Sequence, residues 1–192
     1  VEFGLKYKLA IGDSYDFGFY PDMSSVRAQL KDLFQGKRVL NLFCYTGAFS
    51  LFALKSGASD VVSVDCSKKN MNWLNANLEL NELSPDNHWG IKDDVYKAFK
   101  RLKGKFDLII IDPPPCLTGP KGRVPEHQFL ESAKTELSKI VHEDSLILNF
   151  AHSLKSQKLL PAGDRILPSQ DALSENAEAR TTEGRLFSAK LL

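Results

Sequence analysis

Four aspartates stand where short apolar stretches have just ended, and a cysteine follows the last of them. Asp65 closes "DVVSVD" (60–65), Asp93 and Asp94 follow "HWGIK", and Asp112 closes "FDLIIID" (106–112) and opens "DPPPC" (112–116). A carboxylate ending the second strand of an α/β sheet, about twenty residues past a glycine turn, can accept both hydroxyls of a ribose. Asp65 has that spacing from Gly47. Asp94, or Asp93 in its place, can accept from an exocyclic amine. The plainer alternatives are a helix-dipole partner at Asp65 and helix caps at Asp93 and Asp94. In "DPPPC" consecutive prolines fix φ, extend the residue before each of them and remove N–H donors. The carbonyls of Asp112, Pro113 and Pro114 then form a stiff acceptor array, suited to an amine or a base edge. Cys116 adds a thiol, the group of a covalent nucleophile.

The elements that must position these residues alternate along the chain. "RVLNLF" (38–43), "DVVSVD" (60–65), "HWGIKD" (88–93), "FDLIIID" (106–112) and "SLILNF" (145–150) read as strands. Between them, helices are expected over 47–56, from Ser67 to about Asn81, over 95–102 and over 126–141. Upstream, 1–22 reads as an irregular or β segment, and Met23 to Phe34 as a helix ended by Gly36. Residues 152–160 fit a further helix, and the tail holds two candidate strands near "DRILPS" and "GRLFSAKLL". Alternating strands and helices predict an α/β fold with a mostly parallel sheet covered on both faces. Ligands of such sheets bind beyond the carboxyl ends of the strands. That draws attention to Cys44 through Ala48, Asp65, Asp93, Asp94, 112–116 and 151–153. In "NLFCYTGAFS" (41–50) a strand, a tight turn at Gly47 and a helix aim backbone N–H groups above the sheet. The glycines of a dinucleotide fingerprint are missing, which disfavours NAD.

Composition bounds the rest. With 192 residues, 43% apolar and 26% charged, the chain can bury one sizeable core. Lys plus Arg is 25 and Asp plus Glu is 24, so net charge gives no global attraction to nucleic acid or to a membrane. No apolar run is long enough to span a bilayer, and no signal-peptide pattern opens the sequence. Cys44, Cys66 and Cys116 are odd in number and lack CxxC spacing, so neither a zinc site nor a disulfide framework is suggested. A reducing cytoplasm is the natural setting.

The stretch from "VLNLFCYTGAFS" through "NMNWLNANLELN", followed by "FDLIIIDPPP", resembles the class I S-adenosylmethionine-dependent methyltransferases. Within them it is similar to the bacterial branch acting on large-subunit ribosomal RNA (cytosine-5 and guanine-N7 enzymes). "YDFGFYPDMSSVRAQL" resembles the segment that leads into the catalytic domain of that branch. The resemblance covers roughly residues 15 to 150. It implies a Rossmann-like α/β fold with a seven-stranded sheet and an antiparallel C-terminal strand. It also implies S-adenosylmethionine as cofactor, an RNA substrate and a cytoplasmic enzyme, divided into a lead-in segment (1–22) and a methyltransferase domain (23–192). Tyr45, Thr46 and Gly47 would lie against the methionine part of the cofactor, with Phe43 and Ala48 beside them. Asp65 would take the ribose hydroxyls, and Cys66 or Ser67 would flank the adenine. Asp94 would meet the adenine amine, with Asp93 as its rival. Asp112, Pro113 and Pro114 would sit beside the reacting methyl. Phe19, Asp22 and Arg27 would close over the cofactor.

Cytosine C5 needs a thiolate to add at C6 before it can react, and Cys116 is the candidate thiol. Against it, "NFAHS" after the fifth strand carries no second cysteine. An amine or ring-nitrogen acceptor needs no thiol. His152 and Ser153 fall at the substrate edge. Lys121 and Arg123 in the Gly- and Pro-rich "TGPKGR", expected to be a loop, suit an RNA phosphate, and Lys6 and Lys8 could extend that patch. A polar stretch, 168–184, is expected to be a loop over the site or a poorly ordered segment. Full-length members of the branch usually carry a separate RNA-binding domain, and nothing here resembles it. A methyltransferase for protein or small molecules, and a non-catalytic nucleoside- or RNA-binding module, are the alternatives. The target nucleotide and the oligomeric state are not encoded legibly.

Overall fold

The structure, a computed structural model, describes residues 1–12, 17–114, 116–119, 122–125, 128–151, 163–166 and 183–191. For Cys116, Thr118, Gly119, Arg123, Arg165, Ile166, Glu183, Gly184 and Leu191 it describes the backbone alone. Lys121, His152, Ser153, the helix expected over 152–160 and most of the polar stretch 168–184 lie outside the described residues.

Nine strands are described: β1 (Arg38–Leu42), β2 (Asp60–Asp65), β3 (His88–Lys92), β4 (Phe106–Ile111), β5 (Cys116–Gly119), β6 (Gly122–Pro125), β7 (Val141–Ala151), β8 (Asp164–Ile166) and β9 (Glu183–Ser188). Seven of them form one sheet in the order β3-β2-β1-β4-β7-β9-β8. β3, β2, β1, β4 and β7 are parallel, and β9 runs antiparallel to both β7 and β8. Strand order turns around between β1 and β4, which is where such sheets open a crevice for ligand.

The sheet forms because its strands are apolar on both sides. Val39, Val61, Leu108, Ile110, Leu148 and Phe150 face α1 (Ser24–Leu30), α2 (Ala48–Lys55) and α3 (Lys68–Leu80). Leu40, Leu42, Val62, Val64, Ile109, Ile111 and Ile147 face α4 (Val95–Ala98) and α5 (Phe129–Lys139). Each such side chain, fully buried, is worth about 1.5–3 kcal/mol relative to exposure. β4, apolar almost throughout, sits near the middle of the sheet, as its unbroken pattern requires.

Several boundaries differ from the sequence expectation. The helix expected over Met23–Phe34 is a 3-10 turn (Pro21–Met23), then α1, then another 3-10 turn (Lys31–Leu33). Pro21 starts this run, and no side chain caps it. The helix expected over 95–102 is α4, four residues long, followed by turns in which Lys100 and Arg101 bond back three residues. β7 begins at Val141 rather than Ser145, because its register on β4 jumps between Phe106 and Leu108. The Ser145 hydroxyl fills the break, donating to Phe106 O (2.7 Å) and accepting from His142 N (2.7 Å). The supposed loop around "TGPKGR" is a β-hairpin, with β5 paired antiparallel to β6 from Cys116↔Pro125 to Gly119↔Gly122.

The N-terminal segment is bound to α3 through its main chain. Trp73 and Asn77 on α3, and Asn81 at its C-terminal cap, recur every four residues and therefore share one face. Asn81 accepts from Lys6 N (2.7 Å) and donates to Lys6 O (2.7 Å). Asn77 accepts from Lys8 N (2.8 Å), and Trp73 Nε1 donates to Lys8 O (2.7 Å). Asn77 reaches further and donates to Thr46 O (3.0 Å), in the turn after β1. Asn77→Ala leaves that buried carbonyl and the Lys8 N–H unpaired, at a cost of about 1–3 kcal/mol. A urea denaturation midpoint lowered accordingly, with unchanged m-value, is the expected result.

Candidate active site

Beyond the carboxyl ends of β1, β2 and β4 lies a cavity of about 540 Å³, in the size range of small-molecule sites. Its floor is the turn after β1. Phe43 (φ 60°), Tyr45 (φ 51°) and Gly47 (φ 88°) all take left-handed backbone conformations. Glycine adopts these freely, whereas an aromatic residue there is strained. The turn thus has glycine geometry at three alternate positions and glycine at only one. Gly47 is required for space as well. A Cβ there would stand 2.7 Å from Leu74 Cγ on α3. The aromatic rings offset the strain by packing. Phe43 meets Phe129 edge-on (centroids 5.1 Å apart), and Tyr45 meets Tyr20 (5.3 Å).

Asp65 holds the turn from the neighbouring strand. One oxygen accepts from Tyr45 N (3.0 Å), and the other from Ser67 N (2.8 Å) and Asn70 Nδ2 (3.2 Å). Asp65 is 8% exposed. Burial raises its carboxyl above the usual range, against the opposing pull of the Ser67 and Asn70 hydrogen bonds. Ser67 caps α3 and accepts from Asn70 N (3.2 Å), as the sequence suggested.

Asp94 lines the cavity and caps α4 through Tyr96 N (3.0 Å). Asp93 does not line it: one of its oxygens accepts from Asp94 N (2.9 Å) and the other pairs with Arg101 (3.4 Å). The two adjacent carboxylates are therefore told apart by geometry. Asp112, Pro113 and Pro114 line the cavity from the β4 side, with Pro113 buried and Pro114 exposed. The hairpin begins just beyond them, and its Leu117 also reaches the wall.

Phe19 and Arg27 also line the cavity. The Arg27 guanidinium, 1% exposed, is gripped at two atoms by Glu2 (both 2.7 Å), donates to Tyr20 O (3.2 Å) and packs on the Phe19 and Phe49 rings. Thr46 donates to Gly18 O (2.8 Å), tying the same segment to the turn.

Of the residues singled out from sequence, Phe19, Arg27, Phe43, Tyr45, Thr46, Ala48, Asp65, Cys66, Ser67, Asp94, Asp112, Pro113 and Pro114 share this one cavity. Asp22 is buried in the 3-10 turn, Gly47 backs onto Leu74, and Asp93 turns to Arg101, so none of the three is on the wall. Cys116 is on β5, and its side chain lies outside the described residues. Burial holds the Cys44 and Cys66 thiols above their ordinary pKa, with Asp65 adding to it, so neither is a ready thiolate. The cavity adds Tyr20, Met23, Asn41, Phe49, Asn70, Val95 and Leu117. Asn41 had a signal: a polar residue inside the apolar run "VLNLF". Asn70 had another, three residues past the cap and hence on its face.

A doubly wound sheet with a strained turn after β1 and a buried carboxylate ending β2 defines a nucleoside-cofactor-binding α/β protein. The chain belongs to the S-adenosylmethionine-dependent methyltransferase family, whose model matches residues 1–128. Ribosomal RNA large subunit methyltransferase I of Aeromonas hydrophila is 43% identical over 114 residues, which are 58% of this chain and 29% of that protein. Ribosomal RNA large subunit methyltransferase K/L of Chromohalobacter salexigens is 43% identical over 102 residues, 53% of this chain and 14% of that protein. This chain thus spans under a third of the curated relatives it matches. A methyltransferase solved in complex with SAH superposes with a TM-score of 0.80 at 28% identity, over 97% of this chain and 54% of that one. A SAM-dependent methyltransferase from Streptococcus mutans gives 0.78 at 27%, with the same coverage. Among the described residues, no helix is long and apolar enough to cross a membrane.

The strain at Tyr45 is testable. Tyr45→Val places a β-branched residue at φ 51°, and Tyr45→Gly relieves the conformation. The valine variant is expected to be less stable than the glycine variant by about 1–3 kcal/mol, although it retains more apolar surface. Urea denaturation of the two variants side by side checks this.

Proposed function

We propose that this chain is the catalytic part of an enzyme that methylates a base of ribosomal or other structured RNA in the cytoplasm. The observation that carries the reading is one cavity lined by three carboxylates at successive strand ends: Asp94 after β3, Asp65 at the end of β2 and Asp112 after β4. The RNA class is supported by the names of the two ribosomal RNA methyltransferase relatives.

S-adenosylmethionine, when bound, supplies an activated methyl group on a sulfonium. Asp65 takes the ribose hydroxyls. A carboxylate has about four lone-pair sites, and three are already used by Tyr45 N, Ser67 N and Asn70 Nδ2. The Asn70 amide, at the longest of the three distances, is the partner a hydroxyl displaces. Asp94, with Cys66 and Ser67 on the wall nearby, receives the adenine amine. Tyr45 and Thr46, with Phe43 and Ala48, receive the methionine part. Residues 1–22 act as the lead-in segment of the domain that occupies 23–192, and Phe19 and Arg27 close the cavity from that side. Arg27 enters the wall already oriented by Glu2, so little side-chain freedom is lost when the site fills.

Methyl transfer to nitrogen forms one N–C bond and breaks one S–C bond in line. The task left to the chain is positioning and desolvation. For an amine acceptor, Asp112 and the Pro113 carbonyl accept from its N–H groups and aim its lone pair, and the Asp112 carboxylate receives the proton; a ring nitrogen with a bare lone pair has no proton to give up. An amine or ring nitrogen suits this arrangement without a thiol.

Calorimetry with SAH tests the cofactor half. The wild type is expected to bind, and Asp65→Ala to bind about 10–100-fold more weakly, the worth of hydrogen bonds to a charged acceptor. Binding by wild type is also expected to weaken as pH falls. Protonation removes an acceptor from Asp65, and its raised pKa brings the loss on above the usual carboxylate range. Equal affinity in Asp65→Ala, or no binding by wild type, would sink the assignment. Labelled cofactor offered with RNA and with protein fractions tests the substrate half. Label entering protein alone would overturn it.

A further inference from the structure

The face of the sheet under α2 and α3 carries a hydrogen-bonded row of polar side chains across its apolar middle. Asn41 on β1 and Ser63 on β2 are register partners, so they lie side by side on that face. Ser50 on α2 sits over both. Asn41 Nδ2 donates to Ser50 Oγ (2.8 Å), Ser50 Oγ meets Ser63 Oγ (2.7 Å), and Ser63 Oγ meets His88 Nε2 on β3 (2.8 Å). Gly90, the β3 partner of Ser63, has no side chain there, and the His88 ring lies beside it. Asn41 is 2% exposed, and Ser50 and Ser63 are fully buried. Apolar residues in all these places would hold the sheet equally well, because a buried hydrogen bond adds little net stability over an apolar replacement of both partners. The row therefore calls for another explanation.

Its two ends differ. His88 faces a surface groove between α3 and β3. Asn41 lines the active-site cavity. Among the described residues the Asn41 side-chain oxygen has no hydrogen-bond partner, yet it is not among the atoms sealed from solvent. That oxygen is the group the row leaves for a ligand. An isolated asparagine amide can turn over and exchange its oxygen for its nitrogen. Each bond of the row removes that freedom, provided every hydroxyl passes its proton the same way, from Asn41 through Ser50 and Ser63 to an accepting His88 nitrogen. Burial keeps the His88 ring neutral, with its pKa lowered to about 4, which leaves one ring nitrogen able to accept.

We propose that Ser50, Ser63 and His88 are positioning residues that hold the Asn41 carbonyl oxygen toward the cavity as acceptor for the ammonium group at the cofactor's amino-acid end. This rests on the cofactor reading above. With adenine at Asp94 after β3 and ribose at Asp65 on β2, the amino-acid end falls beside β1, where Asn41 stands. The row thus lets a histidine two strands away set the polarity of one atom in the binding wall.

Calorimetry with two ligands tests it: SAH, and 5′-methylthioadenosine, which lacks the amino acid. Ser63→Ala and His88→Leu are expected to weaken SAH by about 2–10-fold, the worth of one hydrogen bond, and to leave 5′-methylthioadenosine unchanged. His88→Gln, which returns an acceptor oxygen, is expected to recover most of the SAH affinity. Ser63→Ala removes a single oxygen and serves if His88→Leu does not fold. Equal weakening of both ligands, no weakening of SAH, or no difference between the leucine and glutamine variants overturns the proposal. Failure of wild type to bind SAH is a separate result, which overturns the cofactor reading first and this proposal with it.

Discussion

Everything above the sheet depends on where the Asp65 carboxylate spends its lone pairs. It accepts from the turn after β1 and from the first turn of α3, so two connections that are distant in sequence become one surface. Without that carboxylate, the Tyr45 N–H would lose its partner in a turn that is already strained. The rest of the cavity builds outward from this joint. The cap on α4 brings Asp94 to one side, and the buried strand β4 delivers Asp112 to the other.

The family's chemistry asks little of side chains as reagents and much of them as a frame. The protein accordingly invests in stiffness. Phe43 and Tyr45 hold conformations that glycine would take for less, in exchange for two aromatic contacts that fix the floor. Arg27 is locked by Glu2 and stacked on two rings. Its charge is buried, but the bidentate pairing compensates for the desolvation.

Much of this was legible in the sequence, and the limits have physical causes. The parallel strands were readable because strands buried on both faces are mostly apolar, and β2 and above all β4 carry such runs. The cap at Ser67 and the carboxylate at Asp65 were readable because each stands where a periodic pattern stops. The turn after β1 was legible at Gly47 but not at Phe43 and Tyr45, where the backbone keeps glycine geometry under aromatic side chains. The hairpin β5–β6 was hidden because Gly and Pro mark a loop and a turn alike, and among its described side chains Leu117 and Val124 show the face it buries. Asp93 and Asp94 could not be separated by type or spacing. The cavity wall, which Asp94 joins, and the Arg101 pairing of Asp93 do that. The bond partners of Arg27 and the reach of Asn77 depend on contacts far along the chain, which local pattern does not record.

The clasp between α3 and the N-terminal segment has a consequence for how the protein can change over time. Trp73, Asn77 and Asn81 read the main chain of Lys6 and Lys8, never their side chains. Those two lysines are exposed and free to drift to any residue but proline without loosening the clasp. The residues on α3 have no such latitude. A deletion of one residue between Lys6 and Lys8 would also be punished, because it throws the amide and carbonyl pattern out of step with a helix face that repeats every four residues. Variation in this part of the protein is thus confined to substitution on one partner, while length and the other partner stay fixed.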